Sequence, residues 1–250
     1  MKSLIVANWK MNPATYAEAK ALFDATKKHL EKTRSISLIV APPAIFLREL
    51  SKGYKGKRIA FAVQSANAEK GGAFTGEISL EQAYDSNADY ALVAHAERRA
   101  AGETNEDARK KVIGALDLRM TPVLCIGETS RDEGGSHFTH VKEQLRIALS
   151  DVPAQKITKV VVAYEPVWAI GATKPMNGRD MHEMAIFIRK SIVATHGQEG
   201  LGVKILYGGS IDETNAVEML QTGDVDGLLV GRASSDARKF GLLISAIADA

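Results

Sequence analysis

Eight short, β-branched, nearly continuous apolar runs recur along the chain. They begin near Leu4 (LIVANW), Ile36 (ISLIVA), Ile59 (IAFAV), Tyr90 (YALVAH), Thr121 (TPVLCIG), Lys159 (KVVVAYE), Val203 (VKILYGG) and Val225 (VDGLLVG). An antiparallel strand with one wet face alternates apolar and polar residues; these runs do not. Continuous apolar character suits strands buried on both faces, as in a parallel sheet. Parallel neighbours need a crossover between them, and helical patterns fill the gaps.

Ala108, Val112 and Leu116 repeat at four-residue spacing, with Lys110, Lys111 and Asp117 off that face. Thr104, with Asp107 three residues on and Glu106 beside it, reads as a capping box with acidic residues in the first turn. Met181, Ala185, Ile188 and Ile192 form a second stripe. Phe240, Leu243, Ile244 and Ile247 form a third, with Ser234 or Ser235 expected to start it. Core packing accounts for all three stripes.

Eight strand–helix units predict an α/β fold, a single (β/α)8 barrel over residues 1–250. An open doubly wound sheet is the alternative, but no GxGxxG follows the first run and no composition shift divides the chain. The 250 residues can bury roughly three quarters of their unfolded surface. With 32 Lys+Arg against 30 Asp+Glu, the net charge of +2 speaks against a nucleic-acid partner. The lone Cys125 excludes an intrachain disulfide and fits a reducing compartment. The first apolar run, Leu4 to Ala7, is too short for a signal peptide or membrane span. The reading is a soluble intracellular protein.

Barrel sites lie at the C-terminal ends of the strands. There the sequence places Asn8-Trp9-Lys10, His95 with Glu97, Gly127-Glu128, Glu165-Pro166, Gly208-Gly209-Ser210 and Gly231-Arg232. Glu165 reads as a general base with a pKa raised by burial, or as a carboxylate paired with a nearby cation. His95 reads as a hydrogen-bond donor to a carbonyl, or as a satisfied core histidine. Lys10 is a fixed charge for an anion or a solvated lysine. The glycines of the last two strand ends read as a phosphate cradle or as tight turns. No second His or Cys stands at ligand spacing, so no metal is expected. The apolar stretch from Pro166 to Pro175 is either packed down or a lid.

These segments together, with Asn8-Trp9-Lys10-Met11-Asn12, Glu97-Arg98-Arg99, Gly102-Glu103-Thr104, Cys125-Ile126-Gly127-Glu128, Ala163 to Gly171 and Tyr207-Gly208-Gly209-Ser210, resemble the triosephosphate isomerase family from Leu4 to Phe240. The resemblance implies cofactor-free interconversion of dihydroxyacetone phosphate and D-glyceraldehyde 3-phosphate through an enediolate. It implies Glu165 as the base, neutral His95 polarising the carbonyl, Lys10 balancing charge and Asn8 orienting the substrate. It implies phosphate binding by Gly171, Ser210, Gly231 and Arg232, and Glu97 as the partner of Lys10. It further implies a cytoplasmic homodimer of glycolysis and gluconeogenesis, with Thr75 in a subunit-contact loop and no membrane partner. Three places depart from the family pattern. Ala96 lacks a hydroxyl that would contact the glutamate. Gly171-Ala172-Thr173-Lys174-Pro175 replaces a Gly-Thr-Gly-Lys ending. Arg232 stands where a glycine is usual, either strained at positive φ or turned to solvent. An isomerase for another small sugar phosphate and a non-catalytic binding barrel are the alternative functions.

Overall fold

The computed structural model describes residues 2–31, 33–170 and 176–250. Its strands are β1 (Ser3–Asn8), β2 (Ile36–Ala41), β3 (Ile59–Val63), β4 (Tyr90–Val93), β5 (Thr121–Ile126), β6 (Val161–Tyr164), β7 (Lys204–Tyr207) and β8 (Gly227–Val230). They pair in parallel, each with the next, and β8 pairs with β1, closing the barrel. Closure excludes the open doubly wound sheet. At the closing seam Leu4 registers with Gly227, where any Cβ would overlap the Leu4 carbonyl, so only glycine lets the last strand reach the first.

The helices are α1 (Tyr16–Glu31), α2 (Ala44–Gly53), α3 (Leu80–Asp85), α4 (Ala96–Ala100), α5 (Asn105–Asp117), α6 (Ser136–Ala148), α7 (Gly178–His196), α8 (Ala216–Gln221) and α9 (Ala237–Asp249). The expected Thr104–Asp107 capping box opens α5, with both reciprocal bonds present. The expected start of the last helix is corrected. Asp236 is the N-cap of α9, accepting from the N–H groups of Arg238 and Lys239. Ser234 is unavailable for that work. It is fully buried in a 3₁₀ turn, Arg232–Ser235, and its hydroxyl is engaged with the carbonyls of Asn8 and Gly231.

Strand side chains alternate between two cores. Leu4, Val6, Ile39, Ala41, Ala62, Leu92, Val123, Cys125, Val161, Ala163, Leu206 and Leu229 fill the barrel interior. Ile5, Ala7, Val40, Leu124, Val162, Ile205 and Leu228 point outward and join the helix stripes in the outer core. Burial on both faces is why the strands read as continuous apolar runs. Cys125 belongs to the inner core, and burial pushes its thiol well above the ordinary range. No helix among the described residues is long and apolar enough to cross a membrane.

Candidate active site

The two-residue period carries the inner rows to the strand ends and just past them. Val6 leads to Asn8, Ala163 to Glu165, Leu206 to Gly208 and Leu229 to Gly231. The barrel interior is therefore capped at its C-terminal mouth by one amide, one carboxylate and two empty positions. A cavity of about 280 Å³ opens there, lined by Asn8, Lys10, His95, Glu165, Ser210, Gly231 and Arg232 among others. The glycines make its room. A Cβ on Gly208 would lie 2.7 Å from Glu165 Cγ, and one on Gly231 would lie 3.2 Å from Lys10 Cε.

Lys10 adopts a left-handed φ of 53°, which costs a non-glycine residue about 1–3 kcal/mol and persists only where its surroundings impose it. Three contacts do so. Its N–H donates to Asn8 Oδ1 at 3.0 Å, its carbonyl accepts from Gln64 Nε2 at 2.7 Å, and Nζ meets Glu97 Oε1 at 2.6 Å. Gln64 also donates to the carbonyl of Ala41 at 2.9 Å, tying the ends of two strands to the lysine.

His95 caps α4, and its Nδ1 accepts the N–H of Glu97 at 3.2 Å. That bond leaves Nε2 to carry the ring proton toward the cavity. The chain turns His95 inward through Ala94, whose φ is 56° and whose N–H donates to Glu103 Oε1 at 2.9 Å. The Glu103 side chain is itself buried and paired with Lys111 at 2.8 Å.

Glu165 is buried, with Oε1 3.1 Å from His95 Nε2 and Oε2 accepting the N–H of Ala96 at 3.2 Å. A backbone group thus takes up the carboxylate where Ala96 lacks a hydroxyl. Burial pushes the Glu165 pKa up, but the His95 contact and the Ala96 N–H outweigh it and hold the carboxyl below its ordinary range. The expected upward shift is corrected: desolvation acts, and its neighbours reverse the sign. Burial lowers the His95 pKa, and the Glu165 carboxylate raises it further than burial lowers it.

Behind the base sits Glu128, 2% exposed, a residue with no role in the sequence reading. It accepts from Tyr164 OH at 2.8 and 2.9 Å, Trp168 Nε1 at 2.8 Å and Arg131 Nε at 3.1 Å. The Arg131 guanidinium lies 5.3 Å over the Trp168 ring. Trp168 is therefore held from two sides, and the stretch up to Ile170 is pinned just beyond Glu165 by a Val167–Ala169 3₁₀ turn. Residues 171–175, including Gly171 and the altered ending of the expected lid, lie outside the described residues.

The end of the cavity built by the loops after β7 and β8 is lined by Gly209, Ser210, Gly231 and Arg232. Arg232 is exposed and is absent from the residues at positive φ, so the strained alternative is set aside. Lys239 and Asp212 also line this end, and neither stood out in the sequence because neither belongs to a strand end. Thr75 does not join the cavity; it is exposed in the 71–77 loop. Among the described residues no cluster of three or more His, Cys, Asp or Glu is placed to hold a metal.

The arrangement can take a small anionic molecule by one end and exchange protons with it at the other. Comparison with known proteins agrees with that chemistry. The family profile described as triosephosphate isomerase matches residues 3–247. Triosephosphate isomerase of Endomicrobium trichonymphae is 38% identical over 245 residues, covering 97% of this chain and 98% of its own. That of Aquifex aeolicus is 36% identical, with 98% and 99% covered. That of Lactiplantibacillus plantarum is 38% identical, with 95% of each covered.

Proposed function

The chain belongs to the triosephosphate isomerase family and interconverts dihydroxyacetone phosphate and D-glyceraldehyde 3-phosphate; we propose that it does so with Glu165, His95 and Lys10 as its catalytic set. The observation that carries this reading is the joined pair at the cavity floor, Glu165 Oε1 to His95 Nε2 at 3.1 Å, facing an end rich in glycine backbone. Substrate enters between the two groups. Glu165 takes the proton from the carbon beside the carbonyl, while His95 Nε2–H donates to the carbonyl oxygen. The enediolate forms, Glu165 returns the proton to the neighbouring carbon, and His95 moves a proton between the oxygens. Lys10, held by Glu97, offsets the developing negative charge, and Asn8 orients the carbonyl. Backbone groups of Gly171, Ser210, Gly231 and Arg232 hold the phosphate. The route requires no cofactor and no metal.

The same reading makes the chain one domain over residues 1–250 and a cytoplasmic enzyme of glycolysis and gluconeogenesis; the single buried thiol supports a reducing compartment. It also makes it a homodimer, with Thr75 reaching the partner's site. The solvent-exposed Met11 and the Phe74 of the Thr75 loop support a covered surface. Light scattering at micromolar concentration checks the dimer, and a monomer refutes it. The mechanism is tested by Glu165→Gln in a coupled isomerase assay. Turnover should fall by about 10²–10⁴-fold or more, and retained turnover would remove Glu165 from the role of base.

A further inference from the structure

The two ends of the cavity differ in how their charges are matched. At the proton-transfer end both groups face a carboxylate: Lys10 Nζ meets Glu97 at 2.6 Å, and His95 Nε2 meets Glu165 at 3.1 Å. At the other end Arg232 and Lys239 line the cavity, both exposed, and among the described residues neither has a carboxylate within ion-pair distance. Asp212 is the acid lining this end. Its Oδ1 accepts both the N–H and the hydroxyl of Thr214, at 2.9 and 2.6 Å, which stabilises it as the anion. Of the charged side chains lining the cavity here, two are cations and one is an anion, although Lys239 also lies close enough to Asp212 and Asp236 to help hold both as anions.

The backbone offers less than a helix end usually would. In the first turn of α9 the N–H groups of Arg238 and Lys239 are already taken by Asp236 Oδ1 at 2.9 and 3.0 Å. The helix that brings Lys239 to the cavity therefore contributes its side chain there. Gly208, Gly209 and Gly231 contribute no side chains at all. An anion at this end meets two long, exposed cations with no carboxylate at ion-pair distance among the described residues, and a partly enclosed cavity focuses their field.

We propose that Arg232 and Lys239 form a two-cation rim that captures the substrate's phosphate through side-chain charge, in addition to the backbone cradle. The proposal rests on the triose phosphate reading above and adds two specificity-determining residues to it. The arginine fork suits two phosphate oxygens, and the lysine acts as a point charge. Both are solvent-facing, so the capture is screened by salt.

The test uses the full chain, with inorganic phosphate as a competitive probe. Arg232→Gln and Lys239→Gln are measured singly and together for KM, kcat, the phosphate inhibition constant and the salt dependence of kcat/KM. Each single change should weaken phosphate inhibition about 2- to 5-fold, the range for exposed ion pairs. The double variant should lose about tenfold, chiefly in KM, and its kcat/KM should respond less to salt between low ionic strength and roughly 0.3 M. Lys239→Arg should restore the salt response. A purely structural role would leave the salt dependence unaltered. A folded double variant whose phosphate inhibition stays within about twofold of the parent, or whose salt dependence is the same, overturns the rim. A parent chain without isomerase activity would instead overturn the triose phosphate reading.

Discussion

Glu165 Oε1 stands 3.1 Å from His95 Nε2, so the acid–base pair is joined before substrate arrives. The contact depresses the glutamate below its ordinary 4.5 and raises the histidine above its ordinary 6.5. A depressed carboxyl stabilises the fold above its unfolded pKa, and that contribution is lost as pH falls through its folded value. A raised imidazole stabilises below its unfolded pKa, and that contribution is lost as pH rises through its folded value. The pair therefore contributes most between pH 4.5 and 6.5. Urea midpoints of the parent and His95→Gln should differ most in that window and converge on both sides. A pH-independent difference would show that the pair is not titrating in this way.

Gly208 leaves the space that the base occupies. In Gly208→Ala the new methyl would stand 2.7 Å from Glu165 Cγ, backed by strand β7, and the base must move. A displacement near 1 Å costs about 10²-fold when geometry governs the rate. Steady-state kinetics should show kcat lowered by about 10- to 100-fold, and an unaltered kcat would mean that Glu165 can work from elsewhere.

Ala94 carries a side chain at φ 56°, where glycine is at ease. The left-handed region costs other residues about 1–2 kcal/mol, and glycine gives part of this back through unfolded-chain entropy. Ala94→Gly should stabilise the protein by about 0.5–1 kcal/mol in denaturant titration. Ala94→Val should destabilise it by more than that gain, because a β-branched residue tolerates positive φ least.

The buried Glu128 side chain serves three donor residues. Glu128→Ala leaves the Arg131 charge and the Tyr164 and Trp168 donors without their acceptor. Removing one partner of such a buried set costs about 3–5 kcal/mol. The variant should unfold at lower denaturant, and its Trp168 fluorescence should change as the indole loses its acceptor. A loss below about 1 kcal/mol would mean that water replaces the carboxylate at little cost.

Much of the site was legible because strand periodicity and chain order act locally. Asn8, Glu165, Gly208 and Gly231 follow apolar runs, so their place at the mouth could be read from the pattern. What could not be read depends on backbone dihedrals and on contacts between distant segments. The inward turn of His95 depends on the left-handed Ala94, and alanine gives no sign of that conformation. Ser234 looked like a helix cap because its type is right; a bond to Asn8, 226 positions away, claims its hydroxyl instead. The sign of the Glu165 shift needed His95 Nε2 within 3.1 Å, a relation between β4 and β6 that no local window contains. Lys239 escaped notice because it reaches the cavity from a helix.

The closing seam joins Leu4 to Gly227 and brings Ser234 against Asn8. Residues from the first and last tenth of the chain thus share one active-site wall. A nascent chain lacking its last strand has six eighths of its barrel paired in sequence order but no complete mouth, whatever helices have already formed. Such end-to-end contacts carry the highest loop-closure cost and are expected late in folding. Recovery of isomerase activity during refolding should therefore time the meeting of the chain's two ends, and lag behind the recovery of helical signal.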